Sequence, residues 1–144
     1  MGWNEETRSP ALPVRPFIDT NVLLYAIAEG DARADVAWGL LNKGGCVSAQ
    51  VLNEFVSIAR RKFQKPWLEI EEKIGDFRAV CDAVRPLTVQ THESGLRIAA
   101  RYGYHVDDAL ILASAVEGGC DVVYSDDMQD GQRVEGVTIR NPFQ

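Results

Sequence analysis

Phe17-Ile18-Asp19-Thr20-Asn21-Val22-Leu23-Leu24-Tyr25 is the stretch on which the reading of this chain turns. Val14 to Ile18 reads as a short apolar strand, Asp19-Thr20-Asn21 ends it, and Val22 to Ala28 opens a helix. Asp19 suits a helix N-cap. Thr20 and Asn21 suit one equally, so three capping types in a row exceed what one cap needs. In open α/β sheets, ligands bind outside the carboxyl ends of the strands, which is where Asp19 stands.

Working outward, the same kind of junction recurs. Gly30 breaks the first helix, and Asp31 can cap the next, which runs to about Asn42 and stops at Gly44-Gly45. Cys46-Val47 is a short strand, and Ser48 caps a helix with Val51, Phe55 and Ile58 at helical spacing. Pro66 precedes an amphipathic helix marked by Leu68, Ile70, Ile74, Phe77 and Cys81. Val84 to Val89 reads as a third strand, after which Thr91 caps a helix through Leu96 and Ile98 to Gly103. Asp107 or Asp108 starts a helix over Ala109 to Val116, stopped by Gly118-Gly119. Val122 to Ser125 and Val137 to Arg140 are the fourth and fifth strands. Short strands separated by helices predict a three-layer α/β/α fold with a central parallel sheet of about five strands. Residues 1–13, with Pro10 and Pro13 and no periodicity, read as an N-terminal extension to a single domain over 14–144.

Four acidic stations lie on this frame: Asp19, Glu54, the pair Asp107-Asp108, and the pair Asp126-Asp127. Taken singly, each has an ordinary structural account as cap, surface residue or turn. Glu54 is the hardest to dismiss, because Val51, Glu54, Phe55 and Ile58 share one helix face and a lone charge beside an apolar stripe is costly. All four stand at strand ends or in the first turns of the following helices, which a parallel sheet gathers on one rim. Two carboxylates about 4 Å apart repel by roughly 4 kcal/mol at an effective dielectric of about 20. A gathered set therefore calls for protonation or a cation. No His or Cys joins them at ligand spacing, and oxygen-only ligands select Mg²⁺ or Mn²⁺ over zinc. Such ions suit phosphoryl transfer or phosphodiester hydrolysis.

Composition sets bounds. The chain has 144 residues and a net charge of −6, which at face value disfavours a nucleic-acid partner. Assigning the four acids to a metal site leaves the remainder nearly neutral, and Arg60, Arg61, Lys62 and Lys65 form a basic run read either as a solvated helix end or as a phosphate-contacting patch. The longest apolar run, Ala109 to Ala113, is too short for a membrane span, and Met1 to Arg8 is too polar for a signal peptide. Three cysteines without metal or disulfide spacing point to a reducing cytoplasm. His92 and His105 read as surface or structural residues rather than catalytic ones, and Trp38 and Trp67 as cover for the core or a dimer face.

These residues resemble a known family. Phe17 to Tyr25 is similar to the opening of PIN-domain ribonucleases close to the VapC toxins of bacterial toxin–antitoxin pairs. Glu54 in Leu52-Asn53-Glu54-Phe55 matches the second acid of that family, Asp108 before Ala109-Leu110-Ile111 the third, and Asp127 in Tyr124-Ser125-Asp126-Asp127 the last. The resemblance spans Val14 to Pro142 and chooses Asp108 over Asp107 and Asp127 over Asp126. It implies a metal-dependent endoribonuclease of RNA, a homodimer, and a small protein antitoxin as partner. It implies Asp19, Asp108 and Asp127 as ligands of Mg²⁺ or Mn²⁺, with Glu54 completing the site or orienting the attacking water. Asn21, Ser125 and Asp126 would stand behind them. A phosphotransferase or phosphatase using Asp19 as nucleophile would want a second Asp where Asn21 stands, and a non-catalytic interaction module would not need all four acids.

Overall fold

The computed structural model describes residues 14–144; the extension expected at residues 1–13 lies outside them. Among the described residues the sheet has six strands, in the order β3-β2-β1-β4-β6-β5. These are β1 (Pro16–Ile18), β2 (Cys46–Ser48), β3 (Ala83–Arg85), β4 (Val122–Tyr124), β5 (Arg133–Val134) and β6 (Val137–Arg140). The helices are α1 (Thr20–Ala26), α2 (Arg33–Leu41), α3 (Ala49–Arg61), α4 (Trp67–Val80), α5 (Val89–Tyr102) and α6 (Val106–Glu117).

Five strands are parallel, as expected. The sixth, β5, pairs antiparallel with β6 at the edge. The two join through Glu135 and Gly136, both at positive φ (49° and 87°), the backbone that a two-residue hairpin turn requires. A Glu in that conformation masks the turn signal in the sequence.

Strands β1, β2 and β4 are short and almost wholly buried: Phe17, Ile18, Val47 and Val123 are completely inaccessible. That is the pattern of parallel strands covered on both faces. Helix α1 packs on α2 and α3, and α3 on α4; α5 packs on α6, which lies across β2, β4 and β6. Right-handed crossovers explain this division, because the chain moves outward from β1 through β2 to β3 and then returns to the other side at β4. The order reverses between β1 and β4, which makes their C-terminal ends the topological switch point.

Several boundaries differ from the sequence reading. The third strand ends at Arg85, and Val89 already belongs to α5. Thr88, not Thr91, is the N-cap; Thr91 is the third residue of a capping box in which each threonine serves the other's backbone. Neither Asp107 nor Asp108 caps α6: His105 occupies that position, and both acids lie in the first turn. Asp31 precedes the N-cap Ala32 of α2, but still accepts the Arg33 N–H at 2.9 Å. Leu68 is 69% exposed and Leu96 47% exposed, so helical spacing placed them wrongly in apolar faces. Trp38 covers Phe77, with ring centroids 5.5 Å apart, and its indole N–H donates to the Ala26 carbonyl. Trp67 is 56% exposed and covers no core.

The α5–α6 contact is close. A Cβ on Gly95 would lie 2.6 Å from Leu110 Cδ2 and 3.4 Å from the Leu110 backbone. Glycine lets the two helices approach there, two residues along α6 from Asp108.

Candidate metal centre

Asp19 leaves β1 in extended conformation and caps α1. Its Oδ1 accepts the Thr20 N–H at 2.7 Å. Its Oδ2 accepts the Ser125 hydroxyl at 2.7 Å and the Asn21 amide at 3.2 Å. The Asp19 N–H also donates to the Tyr124 carbonyl, which fastens the end of β1 to the end of β4. Asp19 is 4% exposed. Burial pushes its pKa up to about 6 against the bonds from Ser125 and Thr20, and repulsion from Asp108 and Asp127 adds to the rise.

The three capping residues turn out to have three tasks. Asp19 caps the helix. Thr20 Oγ1 donates to Glu54 Oε2 at 2.9 Å, tying α1 to α3. Asn21 Nδ2 lies within 3.2 Å of Asp19 Oδ2 and of Ser125 Oγ, and 3.0 Å from Asp127 Oδ2. With two hydrogens for three acceptors, one of those bonds is shared. Its Oδ1 accepts the Asp126 N–H at 3.2 Å. Asn21 thus holds the turn after β4 from both ends of its amide.

Glu54 is half-buried in the second turn of α3. It meets no Arg or Lys among the described residues. Its second oxygen accepts Gln50 Nε2 at 3.0 Å, and the same nitrogen donates to the Asp107 carbonyl at 3.0 Å. Both partners are acceptors, so the amide orientation is fixed and Gln50 Oε1 stays buried without a partner among the described residues. Gln50 joins α3 to the first turn of α6, and the sequence reading missed it. The available signal was its position one helical turn before Glu54, on the same face.

Asp108 projects from the first turn of α6. Burial raises its pKa first, followed by the charges of Asp127, Glu54 and Asp107, while His105 partly offsets them. Asp107 is exposed and its carboxylate makes no hydrogen bond among the described residues. Ser125 is fully buried and bonds three ways, donating to Asp19 and accepting from the Asp127 N–H and from Asn21. Asp127 is exposed at the mouth of the site. Asp126 faces elsewhere, accepting the Tyr25 hydroxyl at 2.6 Å. Tyr25 in turn lies beneath the Arg33 guanidinium at 4.1 Å and against Phe143.

The structure therefore brings Asp19, Glu54, Asp108 and Asp127 into one another's field, with Asn21 and Ser125 between them and Asp126 turned toward α1. No Lys or Arg side chain bonds to any of the four among the described residues. An all-oxygen set whose buried members resist ionisation in one another's presence fits a hard divalent cation. Among the described residues the acids do not by themselves close into a ready-made cage of three or more ligands; Asn21 bridges Asp19 and Asp127 instead. An open arrangement of that kind leaves coordination for water or phosphate oxygens, as Mg²⁺ prefers.

The family model of the PIN domain matches residues 17–133. No curated protein sequence matches the chain with significance. Among solved structures, it is similar to the sarcin-ricin-loop-cleaving toxin VapC20 of Mycobacterium tuberculosis, at 21% identity and a TM-score of 0.63, covering 76% of this chain and 88% of that one. It is similar to a chain of DNA-bound VapBC from Salmonella typhimurium, at 19% identity and a TM-score of 0.66, covering 90% and 99%. FitAcB from Neisseria gonorrhoeae gives 18% identity and a TM-score of 0.65, covering 89% and 98%.

Proposed function

The chain belongs to the PIN domain family, and from that premise we propose that it is a divalent-metal-dependent endoribonuclease that hydrolyses RNA phosphodiester bonds as the toxin of a toxin–antitoxin pair. The observation that carries this reading is the gathering of four carboxylates around the β1/β4 switch point with no Lys or Arg side chain bonded to them among the described residues.

Asp19, Asp108 and Asp127 would hold Mg²⁺ or Mn²⁺, and Glu54 would complete the site or orient the attacking water. The ion, when bound, supplies a water of lowered pKa and neutralises charge on the phosphate. The chain's own part is positioning. Ser125 and the Thr20 N–H fix both oxygens of Asp19, Asn21 fixes Asp127, and Thr20 with Gln50 fixes both oxygens of Glu54. Such outer bonds hold the acids in one rotamer before substrate arrives. Burial, reinforced by repulsion among the acids, keeps Asp19 and Asp108 reluctant to ionise, so proton release would accompany ion binding.

An Asp19-based phosphotransferase fits less well: a buried carboxylate with both oxygens engaged is a poor nucleophile, and Asn21 stands where a second Asp would be needed. A small protein antitoxin, a homodimer and a cytoplasmic location complete the proposal; complexes named VapBC among the similar structures support the antitoxin. No helix among the described residues is long and apolar enough to cross a membrane.

The test is cleavage of RNA by the purified protein with Mg²⁺ or Mn²⁺, read by mapping RNA ends. Asp108→Asn should abolish cleavage and leave the circular dichroism spectrum unchanged. Equal cleavage by that variant would sink the assignment, and a trapped aspartyl-phosphate would favour the phosphotransferase.

A further inference from the structure

The basic run left unexplained by the site is exposed at the corner between α3 and α4. Four of the 15 Lys and Arg residues fall within residues 60–65 of a chain whose net charge is −6. Lys65 is partly offset by Glu69 at 3.5 Å. Arg60, Arg61 and Lys62 are exposed and form no ion pair among the described residues.

Aromatic rings are interleaved with these cations. Phe63 is 50% exposed and Trp67 56% exposed. The Arg60 guanidinium lies over the Trp67 ring at 4.7 Å, and Lys62 Nζ lies 5.8 Å from the Phe63 ring. The Arg60 Nη1 also donates to the Lys65 carbonyl, which holds the guanidinium in place across the turn. Gln64 adopts φ 53°, a left-handed conformation that is uncommon outside glycine, and the Lys65 N–H reaches back to the Ala59 carbonyl. The corner is therefore a shaped turn that turns Phe63 outward.

The corner lies at the C-terminal end of α3, the helix that carries Glu54. Asn53, Ser57 and Arg60 or Arg61 follow i, i+4, i+7 and i+8 along the exposed side of α3. Glu54 is the only acid on that helix, and it faces α1 and Gln50. Seven residues of helix, from Glu54 to Arg61, span about 10 Å, the rise of about three stacked nucleotides.

We propose that the α3–α4 corner is a docking platform for single-stranded RNA, in which Arg60, Arg61 and Lys62 contact phosphates and Trp67 and Phe63 stack bases flanking the one being cut. This rests on the ribonuclease reading and deepens it. Cations beside exposed rings are the combination by which proteins hold single strands without reading base edges. A guanidinium stacked on one face of an indole steadies the ring while its own N–H edge stays available to phosphate.

The experiment is equilibrium binding of a labelled single-stranded RNA of about 12 nucleotides to the full chain in EDTA, where no cleavage occurs, across a salt series. Arg61→Ala with Lys62→Ala should weaken binding about tenfold and lower the salt slope by about two. Trp67→Phe should abolish the indole quenching on RNA binding, and Trp67→Ala should weaken binding about tenfold. Arg97→Ala with Arg101→Ala, on α5, is the charge-matched control and should change neither. Wild-type binding matched by the corner variants in both affinity and salt slope would overturn the proposal. So would variants that bind RNA normally but no longer co-purify with a co-expressed small protein partner, since the corner would then serve protein recognition. Failure of the wild-type chain to bind any RNA would instead remove the ribonuclease reading itself, and this platform with it.

Discussion

Replacing Asp19 by Asn should make the metal-free protein more stable at neutral and alkaline pH while destroying its activity. Asp19 has a pKa of about 6 in the folded chain against 3.8 for the free group. A carboxyl whose folded pKa is raised loses its proton later than in the unfolded chain. Folded-state stability from this group is therefore full below about pH 4 and is lost as pH climbs through about 6. A shift of about two units corresponds to about 3 kcal/mol. Asn removes that titration at a cost of its own. Its oxygen can still accept the Thr20 N–H, but its amide group would face Ser125 Oγ and the Asn21 amide, both of which now donate to Asp19. Ser125 can turn its hydroxyl to accept; Asn21 cannot, and the mismatch costs about 1–2 kcal/mol. The net gain is about 1–2 kcal/mol at pH about 8, or a rise of roughly 3–6 °C in Tm for a chain of this size. Near pH about 4 the titration gain is absent and only the mismatch remains, so the variant should be less stable than the wild type by about 1–2 kcal/mol. The assay is thermal and urea unfolding in EDTA at both pH values. Saturating Mg²⁺ or Mn²⁺ should then stabilise the wild type and leave the variant unmoved. A variant less stable than wild type at pH about 8, or one whose advantage is the same at both pH values, would refute the account of Asp19 as a buried acid held ready for a cation.

Other expectations follow from the same geometry. Ser125→Ala removes the 2.7 Å bond that favours ionised Asp19, so the acid limb of the cleavage pH profile should move to higher pH and stability near neutral pH should fall by about 1–3 kcal/mol; an unmoved limb would count against Ser125 as the residue that tunes Asp19. Gln50→Met leaves Glu54 and the first turn of α6 unjoined, and cleavage at saturating Mn²⁺ should drop at least tenfold, with a circular dichroism spectrum like that of the wild type. Gly95→Ala would press a methyl group into Leu110 and should lower the urea midpoint by the equivalent of about 1–3 kcal/mol, with a parallel loss of activity because Asp108 lies one half-turn away.

Much of this frame was legible because the informative residues are local. Asp19, Ser48 and the buried strands announce themselves by short-range pattern, since a cap and a covered parallel strand depend on their immediate neighbours. What escaped depends on distance. Gln50 looks like any polar helical residue until Glu54 and the Asp107 carbonyl are placed on either side of it. Thr88 and Thr91 both look like caps, and only their mutual hydrogen bonds reveal which one begins the helix. His105 displaced the two acids from the cap of α6, because a residue without a side-chain cap bond can still hold that backbone position. Leu68, Leu96 and Trp67 carry apolar side chains at helical spacing but face outward, which periodicity alone does not reveal. The β5–β6 hairpin hid behind a Glu in a conformation usually left to Gly or Asn.

The pairing of Asp19 with Ser125, 106 residues further along the chain, has a consequence for when the protein becomes active. A ribosome delivers this chain from its N-terminus. Asp19 and Glu54 emerge first, and β1 waits for β4, one of its two neighbours in the sheet. Until the chain has been made through Asp127 there is half a site and no central sheet to hold it. On the proposed reading, the messenger being translated is out of reach of its own product for nearly the whole of synthesis. On the same reading, an inhibitory partner made from the same transcript would face no active enzyme until this chain is almost complete.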